Sequence, residues 1–191
     1  MEPDMFSGWG IRTLSAESPR FNPQGYHVGT VWPHDNSIIA MGFKRYGFEA
    51  ELNRLVTGLF DAAKAFPYYR LPELFGGMAR SAHHSPVPYP VACRPQAWAA
   101  GAFPLMTQAI LGLCPDAPNG RLRIVRPILP DWLRQVRVRG LRVGDGAVDL
   151  FYERRSGKTS VVVDGIRGHL DVDFTDEWPL RCSQPGNRST G

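Results

Sequence analysis

The chain has 191 residues, 43% of them apolar, and a formal net charge of +4. That is enough to bury a real core, and it excludes a disordered tail. Gly 20 and Pro 17 predict many turns and long ordered loops. The three cysteines (Cys93, Cys114, Cys182) show no C-x-x-C spacing, which excludes a disulfide framework and predicts a reducing compartment, read as the cytoplasm. The first ten residues have neither a basic nor an apolar region of the kind a signal peptide needs. Residues 95–115 lack charge but carry Gln96, Pro104, Thr107 and Gln108, and read as a buried core helix rather than a membrane span. Basic residues gather in the second half: nine Lys/Arg against nine Asp/Glu over 1–120, then thirteen against nine over 121–191. The arginines there alternate with Val and Leu, the pattern of a solvated strand face and not of a nucleic-acid patch.

In chain order, the first helix begins after an N-cap at Asp35 or Asn36. It continues through Ile38, Ile39, Met41, Gly42 and Tyr46 and stops at Gly47. Residues 48–66 form a second helix with Leu52, Leu55, Val56, Leu59, Phe60 and Ala63 on one stripe, ended by Pro67. Residues 67–94 are a long loop whose aromatics (Tyr68, Tyr69, Phe75, Tyr89) predict order. A third helix starts with Pro95 at its first position and runs to about Gly112, apolar nearly all round and so expected to be buried. From residue 121 the period becomes two, with turns at Gly144-Asp145-Gly146 and Ser156-Gly157, which predicts a small antiparallel sheet over 121–175. Residues 176–191 read as a flexible tail. The domain organisation expected is 1–115, 116–175 and 176–191.

Chemistry concentrates in the loops of the first half. Residues 25–36 place Tyr26, His27, Trp32, His34, Asp35 and Asn36 just before a helix, a set suited to stacking on a sugar ring and bonding its hydroxyls. The same residues also suit a packing tryptophan and a capping aspartate. Glu73 lies in Leu71-Pro72-Glu73-Leu74-Phe75-Gly76-Gly77. Apolar neighbours would raise its pKa toward the range of a general base, while an exposed loop glutamate is the plainer reading. Gln96 and Trp98 open the third helix, either into a ligand cavity or as cap and packing. His83 and His84 are adjacent and point apart, and no H-x-x-x-H, H-E-x-x-H or G-x-S-x-G occurs, so neither a metal nor a cofactor is expected.

Three segments in order carry a resemblance: Tyr26-His27-Val28-Gly29-Thr30-Val31-Trp32-Pro33-His34-Asp35-Asn36, the Glu73 segment, and Cys93-Arg94-Pro95-Gln96-Ala97-Trp98-Ala99-Ala100-Gly101. Over roughly residues 5–165 the chain resembles the C-terminal part of bacterial amylo-α-1,6-glucosidases, the glycogen-debranching-enzyme-like proteins. Related mannosylglycerate-hydrolase-like glycoside hydrolases share the pattern. The resemblance implies a mainly α fold, an incomplete (α/α)6 toroid followed by a small antiparallel β module. It implies inverting hydrolysis of α-glucosidic bonds by two carboxylates about 6.5–9.5 Å apart. Glu73 matches the base. Trp32, His34, Asp35 and Gln96 match the sugar pocket, and Trp9 and Arg12, in a segment resembling the preceding loop, match its wall less closely. The acid belongs to an earlier barrel loop, so the chain is expected to be a fragment that needs the N-terminal remainder of its enzyme as partner, inactive alone and with apolar helix surface exposed. An oligosaccharide or α-glucoside is the expected ligand, with no nucleic acid and no membrane. The alternative is a non-catalytic remnant or carbohydrate-binding module using the same aromatic loops. An isomerase or epimerase would need paired histidines, for which His34 with His83 or His84 is the only offer.

Overall fold

Residues 1–81 and 85–179 are described by the structure, a computed structural model of the chain. The tail beyond residue 179, with Cys182, and the His83–His84 pair lie outside the described residues. The chain divides into two compact units, Met1–Thr107 and Gln108–Gly191, and the division falls inside the third helix.

The first unit holds α1 (Pro33–Tyr46), α2 (Glu49–Ala63) and the start of α3 (Ala97–Leu111). The stripe read on α2 is its buried face: Leu52, Leu55, Val56 and Leu59 are fully buried, and Phe60 meets Phe103 of α3 edge to face at 4.8 Å. Burying such side chains contributes about 1.5–3 kcal/mol each. α1 ends where Gly47 turns left-handed (φ 80) and closes on the Lys44 carbonyl.

The start of α1 differs from expectation. Neither Asp35 nor Asn36 caps it: the cap position is Trp32, Pro33 occupies the first turn, and no side chain caps. Asn36 instead lies one turn in, buried, and ties α1 to an upstream loop. Its Oδ1 accepts from the Ile11 N–H at 2.6 Å, and its amide donates to the Ile11 and Trp32 carbonyls at 3.0 and 2.9 Å. α1 therefore buries Asn36, Ser37, Ala40 and Lys44 and leaves Ile38 and Tyr46 open. α3 begins at Ala97, not at Pro95, and is not buried all round: Trp98, Ala100, Gly101 and Pro104 are exposed.

Between the helices the loops pair as isolated antiparallel bridges. Arg12 pairs with Val31, Val31 with Phe75, and Phe75 with Pro88, so four distant segments lie side by side. The glycines of the Glu73 segment serve this contact. A Cβ on Gly77 would stand 1.7 Å from the Gly29 carbonyl oxygen.

The second unit holds two three-stranded sheets. β3 (Gln135–Val143), β4 (Gly146–Arg155) and β5 (Lys158–Arg167) form an antiparallel meander whose hairpins turn at the two glycine sites read from the sequence. β1 (Leu113–Asp116) and β2 (Arg121–Val125) pair antiparallel, but β6 (Asp171–Thr175) joins β2 in parallel. The 121–175 region is thus not one antiparallel sheet. The chain returns after β5 to pair with β2, and a period of two reads the same for either strand direction. Arginines here pair with acids, Arg121 with Asp173 and Arg137 with Asp164, and Arg167 grips Asp149 through both terminal nitrogens.

Three α-helices and two three-stranded sheets among the described residues make this a mixed α/β protein. The expectation of a mainly α chain, an incomplete (α/α)6 toroid, is overturned. Among the described residues α1, α2 and α3 are the only α-helices, the stretch between α2 and α3 is a 3-10 turn (Pro67–Tyr69) and bridged loop, and most of the second unit is strand.

Candidate functional site

The bridged loops of the first unit assemble the site. Val31 N–H donates to the Phe75 carbonyl at 2.9 Å, and Phe75 N–H returns a bond at 3.0 Å. This reciprocal pair sets the Trp32 segment beside the Glu73 segment. Leu71, Leu74 and Phe75 are buried and anchor the loop, leaving Glu73 half-buried between them with its carboxylate turned to other partners.

Those partners are specific. Tyr26 donates its hydroxyl to Glu73 Oε1 at 2.8 Å. The Cys93 N–H donates to Oε2 at 3.2 Å, while the Glu73 N–H donates to the Cys93 carbonyl at 3.1 Å. The Tyr26 hydroxyl, then the Cys93 N–H, and more weakly His34, hold the Glu73 carboxyl below its ordinary pKa. The raised pKa expected from the flanking apolar residues is therefore corrected. Those side chains pack into the core and leave the carboxylate to hydrogen-bond donors. The Tyr26 hydroxyl moves the opposite way, its pKa raised first by donating to Glu73.

Around this carboxylate runs a row of rings. Tyr26 meets Trp32 edge-on at 4.8 Å, His27 at 4.6 Å and Tyr89 at 5.7 Å. His27 stacks on Trp32 at 5.4 Å, Trp32 meets His34 at 5.5 Å, and His34 meets Trp98 at 4.7 Å. Trp32 is the keystone rather than an open platform. It is buried, one face is covered by His27, and its indole N–H is shared between the Tyr26 carbonyl at 3.1 Å and Thr30 Oγ1 at 3.0 Å. The accessible aromatic surface belongs to Tyr26, His27 and Trp98, the last 67% exposed.

His34 is half-buried and pairs with the exposed Asp35, Nε2 to Oδ1 at 3.1 Å. Gln96 accepts the Trp98 N–H on Oε1 at 2.7 Å and lines a neighbouring cleft of about 390 Å³ with Tyr69, Arg70, Leu71 and Phe103. Tyr68 and Tyr69 beside that cleft both hold left-handed backbone (φ 56 and 58), a strain the sequence does not announce.

Trp9 and Arg12 lie in the scaffold. Trp9 is buried beneath the Arg80 guanidinium, 4.3 Å from its ring. Arg12 is buried and bonds the Gly77 carbonyl at 2.6 Å and the Asp4 carbonyl at 2.9 Å, which staples the N-terminal loop to the Glu73 segment. The structure thus brings together Glu73, Trp32, His34 and Asp35, with Gln96 at the edge, and sets Trp9 and Arg12 behind them. Tyr26, the Cys93 amide and Tyr89 complete the site. Tyr26 stood inside the aromatic segment in the sequence, but spacing carries no sign of its bond to a residue 47 positions away.

Among the described residues no three His, Cys, Asp or Glu side chains stand close enough to hold a metal ion, and no helix is long and apolar enough to cross a membrane. No protein-family model matches the sequence, and a search of curated proteins finds no match to it.

Proposed function

We propose that this chain carries the base side of an inverting glycoside hydrolase site acting on α-glucosides, with Glu73 as general base. The observation that supports the reading most is the pair of donors on Glu73 at the foot of the aromatic row. The two donors fix the direction of an ionised carboxylate and lower its basicity, and each oxygen keeps a lone pair that can take a proton from water. In inversion such a base activates a water on the sugar face opposite the leaving group. Tyr26, His27 and Trp98 offer faces for the sugar ring, and Asp35 and Gln96 offer polar atoms for its hydroxyls. The order of the three resembling segments supports the same assignment. Asp35 is held by His34 and serves binding, so the general acid comes from outside the described residues.

The open face of Trp98 supports a second reading, a carbohydrate-binding module without turnover. Hydrolysis of maltooligosaccharides and p-nitrophenyl α-glucoside by the purified chain, with Glu73→Gln as control, separates the two. Turnover lost in Glu73→Gln supports the hydrolase. Sugar binding that is kept in Glu73→Gln, with no turnover in either protein, is followed by co-expression with the N-terminal remainder that supplies the acid: turnover that appears there and is lost in Glu73→Gln supports the hydrolase, and its absence favours the binding module. A chain that neither binds nor cleaves these sugars refutes both.

A further inference from the structure

The geometry points to Tyr26 as a positioning residue that couples the sugar-stacking row to the Glu73 carboxylate, an inference that rests on the assignment of Glu73 as base. Two observations meet in this one side chain. Its ring is the junction of the row, edge-on to His27 and Trp32 and tilted against Tyr89. Its hydroxyl makes the shortest hydrogen bond to Glu73 among the described residues, 2.8 Å from Oε1. The backbone around Tyr26 is fixed independently of that hydroxyl, because its carbonyl accepts both the Trp32 indole N–H at 3.1 Å and the Thr30 hydroxyl at 2.7 Å. The main chain is held by those bonds and the ring by its contacts with His27, Trp32 and Tyr89, and the hydroxyl is directed at one carboxylate oxygen. The Cys93 amide holds the other, so the plane of the carboxylate is defined from two sides.

Among the described residues, the groups facing Glu73 are Tyr26, the amide and thiol of Cys93, and His34, with Tyr89 behind Tyr26. Of these, the Tyr26 hydroxyl is a side-chain donor that can be removed without touching a backbone contact. A phenylalanine keeps the ring and its edge-on packing and deletes the proton donated to the base.

The test is a titration of the Glu73 side-chain carboxyl carbon by NMR in the full chain, with its resonance assigned by its disappearance in Glu73→Gln. It is run on the wild type, Tyr26→Phe and Trp98→Ala, each with and without maltotriose, and amide spectra confirm that each variant is folded. The expected result is an upward shift of the Glu73 midpoint in Tyr26→Phe with maltotriose binding retained, and in Trp98→Ala an unchanged midpoint with binding weakened. Where turnover is measurable, the acid limb of its pH profile moves up with the Tyr26→Phe midpoint. An unchanged Glu73 midpoint in a folded Tyr26→Phe protein overturns the inference. A shifted midpoint in a chain that neither binds nor cleaves the sugar sinks the glycosidase reading instead, so the two failures are told apart.

Discussion

Val31 and Phe75 exchange both main-chain hydrogen bonds, at 2.9 and 3.0 Å, across 44 residues of sequence. Both side chains are fully buried. This one antiparallel pair carries Trp32 and Glu73 into the same site, so the site depends on the packing beneath it. Phe75→Ala removes a buried ring that also packs on Phe66 at 5.8 Å. The expected loss is about 3–5 kcal/mol in the first unit, read as a lowered thermal midpoint. The Tyr26–Glu73 bond should loosen with it, seen as a Glu73 titration closer to that of an ordinary glutamate.

Gly77→Ala tests the same assembly from the backbone. Its new methyl would stand 1.7 Å from the Gly29 carbonyl oxygen, so main chain has to move. A destabilisation of at least about 1–3 kcal/mol is expected, measured by urea denaturation. Wild-type stability in this variant would show that the two loops are not in contact.

Trp98→Ala separates binding from stability. The indole is 67% exposed, so folding should change by less than about 0.5 kcal/mol. Affinity for maltotriose should fall about tenfold or more if this face stacks the sugar, as in other aromatic stacking contacts. Calorimetric titration reads the affinity, and an unchanged value removes Trp98 from the site.

In the second unit Tyr152 is fully buried, and among the described residues its hydroxyl has no hydrogen-bond partner. Burial alone drives its pKa well up. Tyr152→Phe removes an unsatisfied polar atom and keeps the ring. The expected change is between neutral and about 1 kcal/mol of added stability, read from the denaturation midpoint of that unit.

The Asp149–Arg167 clamp sets an acid dependence. Two bonds from Arg167, at 2.8 and 2.9 Å, and then the Gly140 N–H hold the Asp149 carboxyl far below its ordinary pKa. A group with a depressed folded pKa stabilises the fold above its unfolded value, near 3.9, and that contribution fades as pH falls through this value toward the folded one. Asp149→Asn should therefore flatten the fall in the unit's stability between about pH 5 and pH 2, followed by circular dichroism.

What the sequence by itself determined is local. The stripe on α2, the stop at Gly47 and the hairpin turns at Gly144-Asp145 and Ser156-Gly157 follow from periods and turn chemistry within a few residues, and they stand in the structure. The segments around Trp32, Glu73 and Gln96 were legible as polar and aromatic groups set among glycines and prolines. Tertiary structure alone decided the rest. Asn36 reads as a cap because capping is local, yet its amide is claimed by Ile11, 25 residues away. Apolar neighbours of Glu73 read as a desolvating wall, yet they turn into the core and leave the carboxylate to Tyr26 and Cys93. The resemblance implied a mainly α fold and the period of two an antiparallel sheet, yet the loops pair through isolated bridges and β6 returns in parallel to β2. In each case the deciding partner is remote in sequence. A residue's period records which way it faces, and only the folded chain records what it meets there.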